Sequence, residues 1–312
     1  MAQRRLWRFL QFAAGALLVG LAIRSIAINW QSLRAQPVDW RFSPSWIAIS
    51  VLVVFTGYAA LIEAWRRVVL SMGQALPFFT AARIWFLASL GKYVPGKVWA
   101  VAGAAVLARR AGVDPSVAVA GALVLQALAL GSGAVVVAFT ARETFQAVGA
   151  EMIPIAAAVL IACIAGIAVL ASQPLLDRIG HFLPRSFPPL RAISPAMLVL
   201  SFAANLFAWL AYGTALLFLA HGVLPNVNLS LPQAVGVFTC SYLVGFIALF
   251  APGGLGPRES VFLLMLAGDI GLKPAAGLAL ASRLLLTGTE VLPAVPFLLR
   301  RNAPSPPSAR EA

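Results

Sequence analysis

Apolar runs long enough to cross a bilayer recur along this chain, separated by short polar connections. A hydrocarbon core of about 30 Å takes roughly 20 apolar residues per helix. Runs of that order lie at about 7–28, 46–69, 115–140, 152–172, 194–220, 231–250 and 276–299. Two further stretches, at about 78–90 and 257–271, are apolar but short or interrupted, which predicts half-spanning or re-entrant segments rather than complete crossings. The pattern predicts an all-α polytopic integral membrane protein with about eight transmembrane helices and two broken or re-entrant elements. The first run, "WRFLQFAAGALLVGLAI", is too long for a typical signal peptide and lacks a small-x-small cleavage site, so it is expected to be an uncleaved helix.

Composition supports this class and then removes several others. Of 312 residues, 61% are hydrophobic and 11% charged, which sets the chain apart from soluble domains. The net charge of +13 could suit nucleic acid, but its distribution follows the positive-inside rule. Arg4, Arg5, Arg8, Arg66, Arg67, Arg109, Arg110, Arg178, Arg185, Arg191, Arg300, Arg301 and Arg310 fall on one side if the N-terminus is cytoplasmic. The other side then keeps mainly Arg34, Arg41, Arg142 and Lys273. The expectation is a multi-pass protein of the inner cell membrane with both termini cytoplasmic, an even number of crossings and no nucleic-acid partner. Cys163 and Cys240 sit in apolar runs without metal or redox spacing, and His181 and His221 read as loop residues with no nucleophile or base beside them. The longest polar loop, about 173–193, is too short for a catalytic domain. No phosphate-binding loop of the G-x-x-x-x-G-K-[ST] type and no acidic metal pair occur in the sequence, so no cofactor, metal or catalytic residue is expected.

The chain divides into a single membrane domain over 1–300 and a short polar tail at 301–312. Within the domain, halves at 1–172 and 194–300 suggest an internal repeat. Each half leads through two long helices to a helix-breaking motif, "LGKYVPGKVW" at 90–99 and "APGGLGPRES" at 251–260. Identity between the halves is slight, and chance accounts for the match as well as a repeat does.

The two motifs carry the candidate chemistry. Pro95 removes a backbone donor and disfavours helix at Val94, while Gly91 and Gly96 permit angles that other residues resist. A break at membrane depth is tolerated only where protein or a water-filled cavity surrounds it. A new helix starting after Gly96 would aim its first amides and positive dipole end at the break, beside Lys92 and Lys97, with Tyr93 and Trp99 suited to the headgroup level. The plain alternative is an inner-loop turn whose lysines only obey the orientation rule. In the second motif Pro252, Gly253, Gly254 and Gly256 break the chain again, and Arg258 and Glu259 stand at its exit. So glycine-rich a loop lets backbone amides approach a ligand. In the last apolar run Arg283 and Glu290 are seven residues apart, on one helical face and about 10 Å apart along it. Ionisable groups within a bilayer usually face the protein interior, as a ligand site or as a structural pair, with Arg83 or Lys97 as further partners for Glu290. Glu63 reads as a helical neighbour of Arg66 and Arg67.

"LGKYVPGKVW", "APGGLGPRES" and "SRLLLTGTEVLP" together resemble the flippase-like membrane domain of the lysylphosphatidylglycerol synthase family, in order and spacing over nearly the whole chain. In that family the membrane domain moves a lipid between leaflets, and a separate soluble domain makes the lipid from aminoacyl-tRNA. This sequence ends at "RRNAPSPPSAREA", so the resemblance implies the translocating part and argues against aminoacyl transfer. The expected cargo is a membrane lipid or lipid-linked substrate with an anionic or sugar headgroup, supplied by a separate lipid-modifying enzyme. The candidate site comprises Lys92, Tyr93, Pro95, Gly96, Lys97, Pro252, Gly253, Gly254, Gly256, Arg258, Glu259, Arg283 and Glu290. In it Lys92, Lys97, Arg258 and Arg283 would meet phosphate or a counter-charge, and Glu259 and Glu290 would balance them or recognise a cationic headgroup. Without a nucleotide site, a lipid or ion gradient would drive transport. A membrane-embedded transferase acting on a lipid-phosphate donor and a non-catalytic assembly subunit are the alternative readings.

Overall fold

The structure, a computed structural model, describes residues 40–93, 98–140, 152–181, 192–224, 227–248 and 251–299. Ten α-helices and no strand occur among the described residues. They are α1 (Pro44–Ser71), α2 (Phe78–Ser89), α3 (Val98–Arg110), α4 (Pro115–Thr140), α5 (Met152–Ala171), α6 (Gln173–Gly180), α7 (Pro195–Val223), α8 (Leu231–Ile247), α9 (Pro257–Ile270) and α10 (Leu272–Leu299). Four of them, α1, α4, α7 and α10, are long and apolar enough to cross a membrane. The expected runs at 46–69, 115–140, 152–172, 194–220, 231–250 and 276–299 all correspond to helices, and α2 and α9 are short, as their interrupted patterns predict. The expected first helix at 7–28 and the tail at 301–312 lie outside the described residues.

Helix starts follow local chemistry. Proline stands in the first turn of α1, α7, α8 and α9, where its missing N–H has no partner to lose. Ser230 caps α8 and Gln233 reaches back to the Ser230 amide, closing a capping box. Asp114 precedes α4 and accepts from the Ser116 amide at 2.8 Å. Glu63 pairs with Arg66 and Arg67, each at 2.7 Å, as their helical spacing predicts.

Two expectations about connections need correction. The stretch 173–193 is not one polar loop. Its first residues form α6, because "QPLLDRIG" places proline in the first turn and buries Leu176 on its apolar side. His221 is not in a loop either. It belongs to the last turn of α7, where its ring lies 5.6 Å from that of Trp46.

At the centre of the bundle α1 packs along α7, joining the front and back of the chain. Small residues bring the two together. The Ser50 hydroxyl donates to the Ala215 carbonyl at 2.7 Å, and a Cβ on Gly57 would come within 2.8 Å of the Tyr212 ring. On its next face α7 meets α8 so closely that a Cβ on Gly213 would sit 2.4 Å from the Val235 Cα. Helices in lipid gain little from burying apolar surface against each other, so close approach through small residues supplies the packing instead. The extensive core cluster includes Tyr58, Trp65, Tyr212 and Phe238, and these aromatic rings lead towards the two breaks.

Candidate functional site

The first break begins earlier than its proline implies. Helix α2 ends at Ser89 and a 3-10 turn, Leu90–Tyr93, takes the chain to residues 94–97, after which α3 starts at Val98. Pro95, Gly96 and Lys97 lie outside the described residues. Gly91 serves a different purpose from the one its type suggests. It is not among the left-handed glycines, and a Cβ there would come within 2.5 Å of the Ala100 amide nitrogen. Its bareness lets the turn fold back onto the first turn of α3.

The second break depends on glycine in both senses. Gly253, Gly254 and Gly256 have φ of +58°, +73° and +89°, in the left-handed region that side chains with a Cβ resist. A Cβ on Gly254 would also come within 3.0 Å of the Gly245 Cα, so the break packs glycine to glycine against α8. Glu259, in the first turn of α9, accepts from the Gly256 amide at 2.8 Å and so fixes the point at which helix resumes. The turns Leu90–Tyr93 and Pro252–Gly254 lie against each other, bringing the two motifs into one place.

Helix α10 ties both breaks together. Glu290 accepts from Lys92 Nζ at 2.5 Å in the first break and from the Tyr58 hydroxyl at 3.3 Å. Two turns earlier on α10, Arg283 donates to Glu259 at 2.6 Å and to the Gly253 carbonyl at 3.4 Å in the second break. Arg283 and Glu290 share a face, as their spacing predicts, but they are not each other's partners: a rise of about 10 Å along the helix exceeds the reach of an ion pair. The Glu290 side chain is 9% exposed and the Arg283 side chain 17%, so both pairs are sheltered.

Arg258 is set differently. It is 7% exposed, and Nη2 donates to the Ser282 hydroxyl at 2.9 Å. The guanidinium lies 5.3 Å from the ring centre of Phe238 and 6.0 Å from that of Phe262, within cation–π range of both. Although adjacent in sequence, Arg258 and Glu259 turn to different partners. Among the described residues no carboxylate lies within ion-pair distance of Arg258. Aromatic rings connect this arginine to the other end of the site. The Phe238 ring lies tilted against that of Tyr212 at 5.5 Å, Tyr212 meets Tyr58 edge-on at 5.7 Å, and the Tyr58 hydroxyl donates to Glu290.

The structure thus brings together Lys92, Gly253, Gly254, Gly256, Arg258, Glu259, Arg283 and Glu290, with Tyr93 and Pro252 in the two turns. It adds Tyr58, Phe238 and Phe262, which lie in no quoted motif, and Ser282, which opens "SRLLLTGTEVLP" but carries no role there. Ser282 had one available signal, its place beside Arg283 in an otherwise apolar run. The aromatics had none, because phenylalanine and tyrosine are unremarkable in a membrane helix. Among the described residues no group of three histidine, cysteine or acidic side chains could hold a metal ion.

No curated protein matches the chain. The family described as lysylphosphatidylglycerol synthase TM region matches it over residues 8–293, a span that takes in both breaks and the charged part of α10. By that match the chain belongs to the lysylphosphatidylglycerol synthase TM-region family.

Proposed function

We propose that the protein moves a lipid with an anionic or sugar headgroup between the leaflets of the cell membrane. The observation that carries this reading is the meeting of the two breaks, each ion-paired to α10, inside a bundle that holds membrane-length helices. Irregular backbone and charge at membrane depth are costly and persist where they line a site. Family membership supports it by relating the chain to lipid modification or translocation. In this reading the breaks are re-entrant elements in a bundle of about eight crossings, both termini are cytoplasmic, and Lys92, Arg258 and Arg283, already gathered at the breaks, supply the positive charge that the headgroup meets.

The test is leaflet exchange in liposomes containing the purified protein and headgroup-labelled lipids. Exchange above that of empty liposomes supports translocation. A labelled lipid that changes mass without changing leaflet points to group transfer instead, and neither result leaves an assembly subunit.

A further inference from the structure

The carboxylates paired with cations in this bundle differ in what else they touch. Among the described residues ion pairs engage Glu63, Glu259 and Glu290. The partners of Glu63 are arginines, and those of Glu259 are the Arg283 guanidinium and the Gly256 amide, groups that only donate. A proton placed on either carboxylate would face N–H groups rather than an acceptor. Glu290 is set otherwise, because one of its partners is the Tyr58 hydroxyl, which can both donate and accept. That hydroxyl lies 3.3 Å from the Glu290 carboxylate and 3.3 Å from the Thr289 hydroxyl, whose own proton goes to the Leu285 or Leu286 carbonyl. When Glu290 is ionised, Tyr58 donates to it. When Glu290 is protonated, it donates to Tyr58, and Tyr58 turns to donate to Thr289. Both charge states are hydrogen-bonded without any backbone movement.

The counter-ion also suits a change of state. The Lys92 side chain is 30% exposed against 9% for Glu290, so an ammonium that loses its partner can turn to water on its flexible stem. Arg283 is held more firmly, since its guanidinium also donates to the Gly253 carbonyl at the second break. Pro293 places a weak point in α10 beside the carboxylate, because it lacks the N–H that the Thr289 carbonyl would take in an unbroken helix. Neighbouring helices bring other charged or titratable groups to Glu290. Tyr212 of α7 and Arg258 of α9 lie within electrostatic range, and α2, packed on α10, carries Arg83.

We propose that Glu290 is a proton-binding site whose state decides whether the first break is held to α10. The carboxylate takes one proton from water and becomes a neutral acid, and Lys92 then lets go of it; return of the proton to water restores the pair. No electron moves and no bond to carbon forms or breaks. Resting on the translocation reading, this makes a proton gradient the force that drives lipid movement. The Arg283 and Glu259 pair holds the second break in both states.

Infrared difference spectra of the full chain in detergent, recorded between alkaline and acidic buffer, read the proton without requiring transport. The carbonyl band of a buried protonated carboxyl group should appear on acidification, vanish in Glu290→Gln and persist in Glu63→Gln. Leaflet exchange in proteoliposomes reads the consequence. The wild-type rate should rise as pH falls, by at most roughly tenfold per pH unit for a single proton, and an imposed proton gradient should accelerate it until a protonophore collapses the gradient. Glu290→Gln carries a neutral side chain at every pH, so its exchange should ignore both pH and the gradient. Where that variant fails to fold, Glu290→Gln combined with Lys92→Met, which leaves neither charge of the pair behind, serves in its place. An acid band or a rate response that survives in these variants would overturn the proposal. So would a wild-type rate indifferent to pH, or one accelerated by a sodium gradient in place of a proton gradient. The two readings fail separately. If the Glu290 band appears but no lipid moves at any pH, translocation falls and the proton site stands. If lipid moves while neither band nor rate depends on Glu290, the proton site falls and translocation stands.

Discussion

Lys92 and Glu290 are 198 residues apart in sequence and touch in the fold. Removing one member of a sheltered ion pair leaves its partner uncompensated, and removing both relieves much of the loss. Glu290→Gln should lower stability by about 2–3 kcal/mol, with Lys92→Met restoring a good part of it; detergent-solubilised thermal melts would show the recovery. The same cycle distinguishes true partners from residues that only share a helix face. Arg283→Gln combined with Glu259→Gln should recover stability, whereas Arg283→Gln combined with Glu290→Gln should add two losses, because each leaves a different partner behind. The reverse result would show that the pairing is wrong. That these residues matter is legible in the sequence, since a charge inside an apolar run stands out against its surroundings. Their partners are not, because spacing along one helix says nothing about a turn brought in from the other half of the chain. Arg258 shows the limit most plainly: its neighbours Phe238 and Phe262 are two of 19 phenylalanines, and only the fold selects them.

Helices were readable wherever length and proline position agreed, as for α1, α4 and α7, whose prolines stand in the first turn or at its start. The short helix α6 was hidden because proline and arginine in "QPLLDRIGHFLPRS" resemble loop composition, although proline is well tolerated in a first helical turn. At the breaks, glycine is needed for two separate reasons, and substitution tests each. Gly91→Leu would force a side chain into the backbone of α3, and Gly254→Leu would combine a strained φ with a clash against α8. Both variants should remain in the membrane, held by the long apolar helices, and lose lipid movement; wild-type exchange by either would mean that the turn tolerates reshaping. Away from the breaks, Gly213→Ala should push α7 from α8 and cost about 1–3 kcal/mol by overpacking, seen as a lower melting temperature.

For the molecule as a whole, the proposed orientation follows from arginine placement and can be checked independently of cargo. A single cysteine placed at Ser186, in a background lacking Cys163 and Cys240, should react with an impermeant thiol reagent only after the inner face is opened. Labelling from outside intact cells would invert the orientation. A further property of the assembly comes from α10, which grips one break through Arg283 and the other through Glu290. Both handles sit on one rod about two turns apart, so sliding or rotating that rod disturbs both grips at once. The breaks then share one mechanical coordinate, and any free energy by which occupancy of one loosens the rod must reappear, with the same magnitude, as an altered affinity at the other.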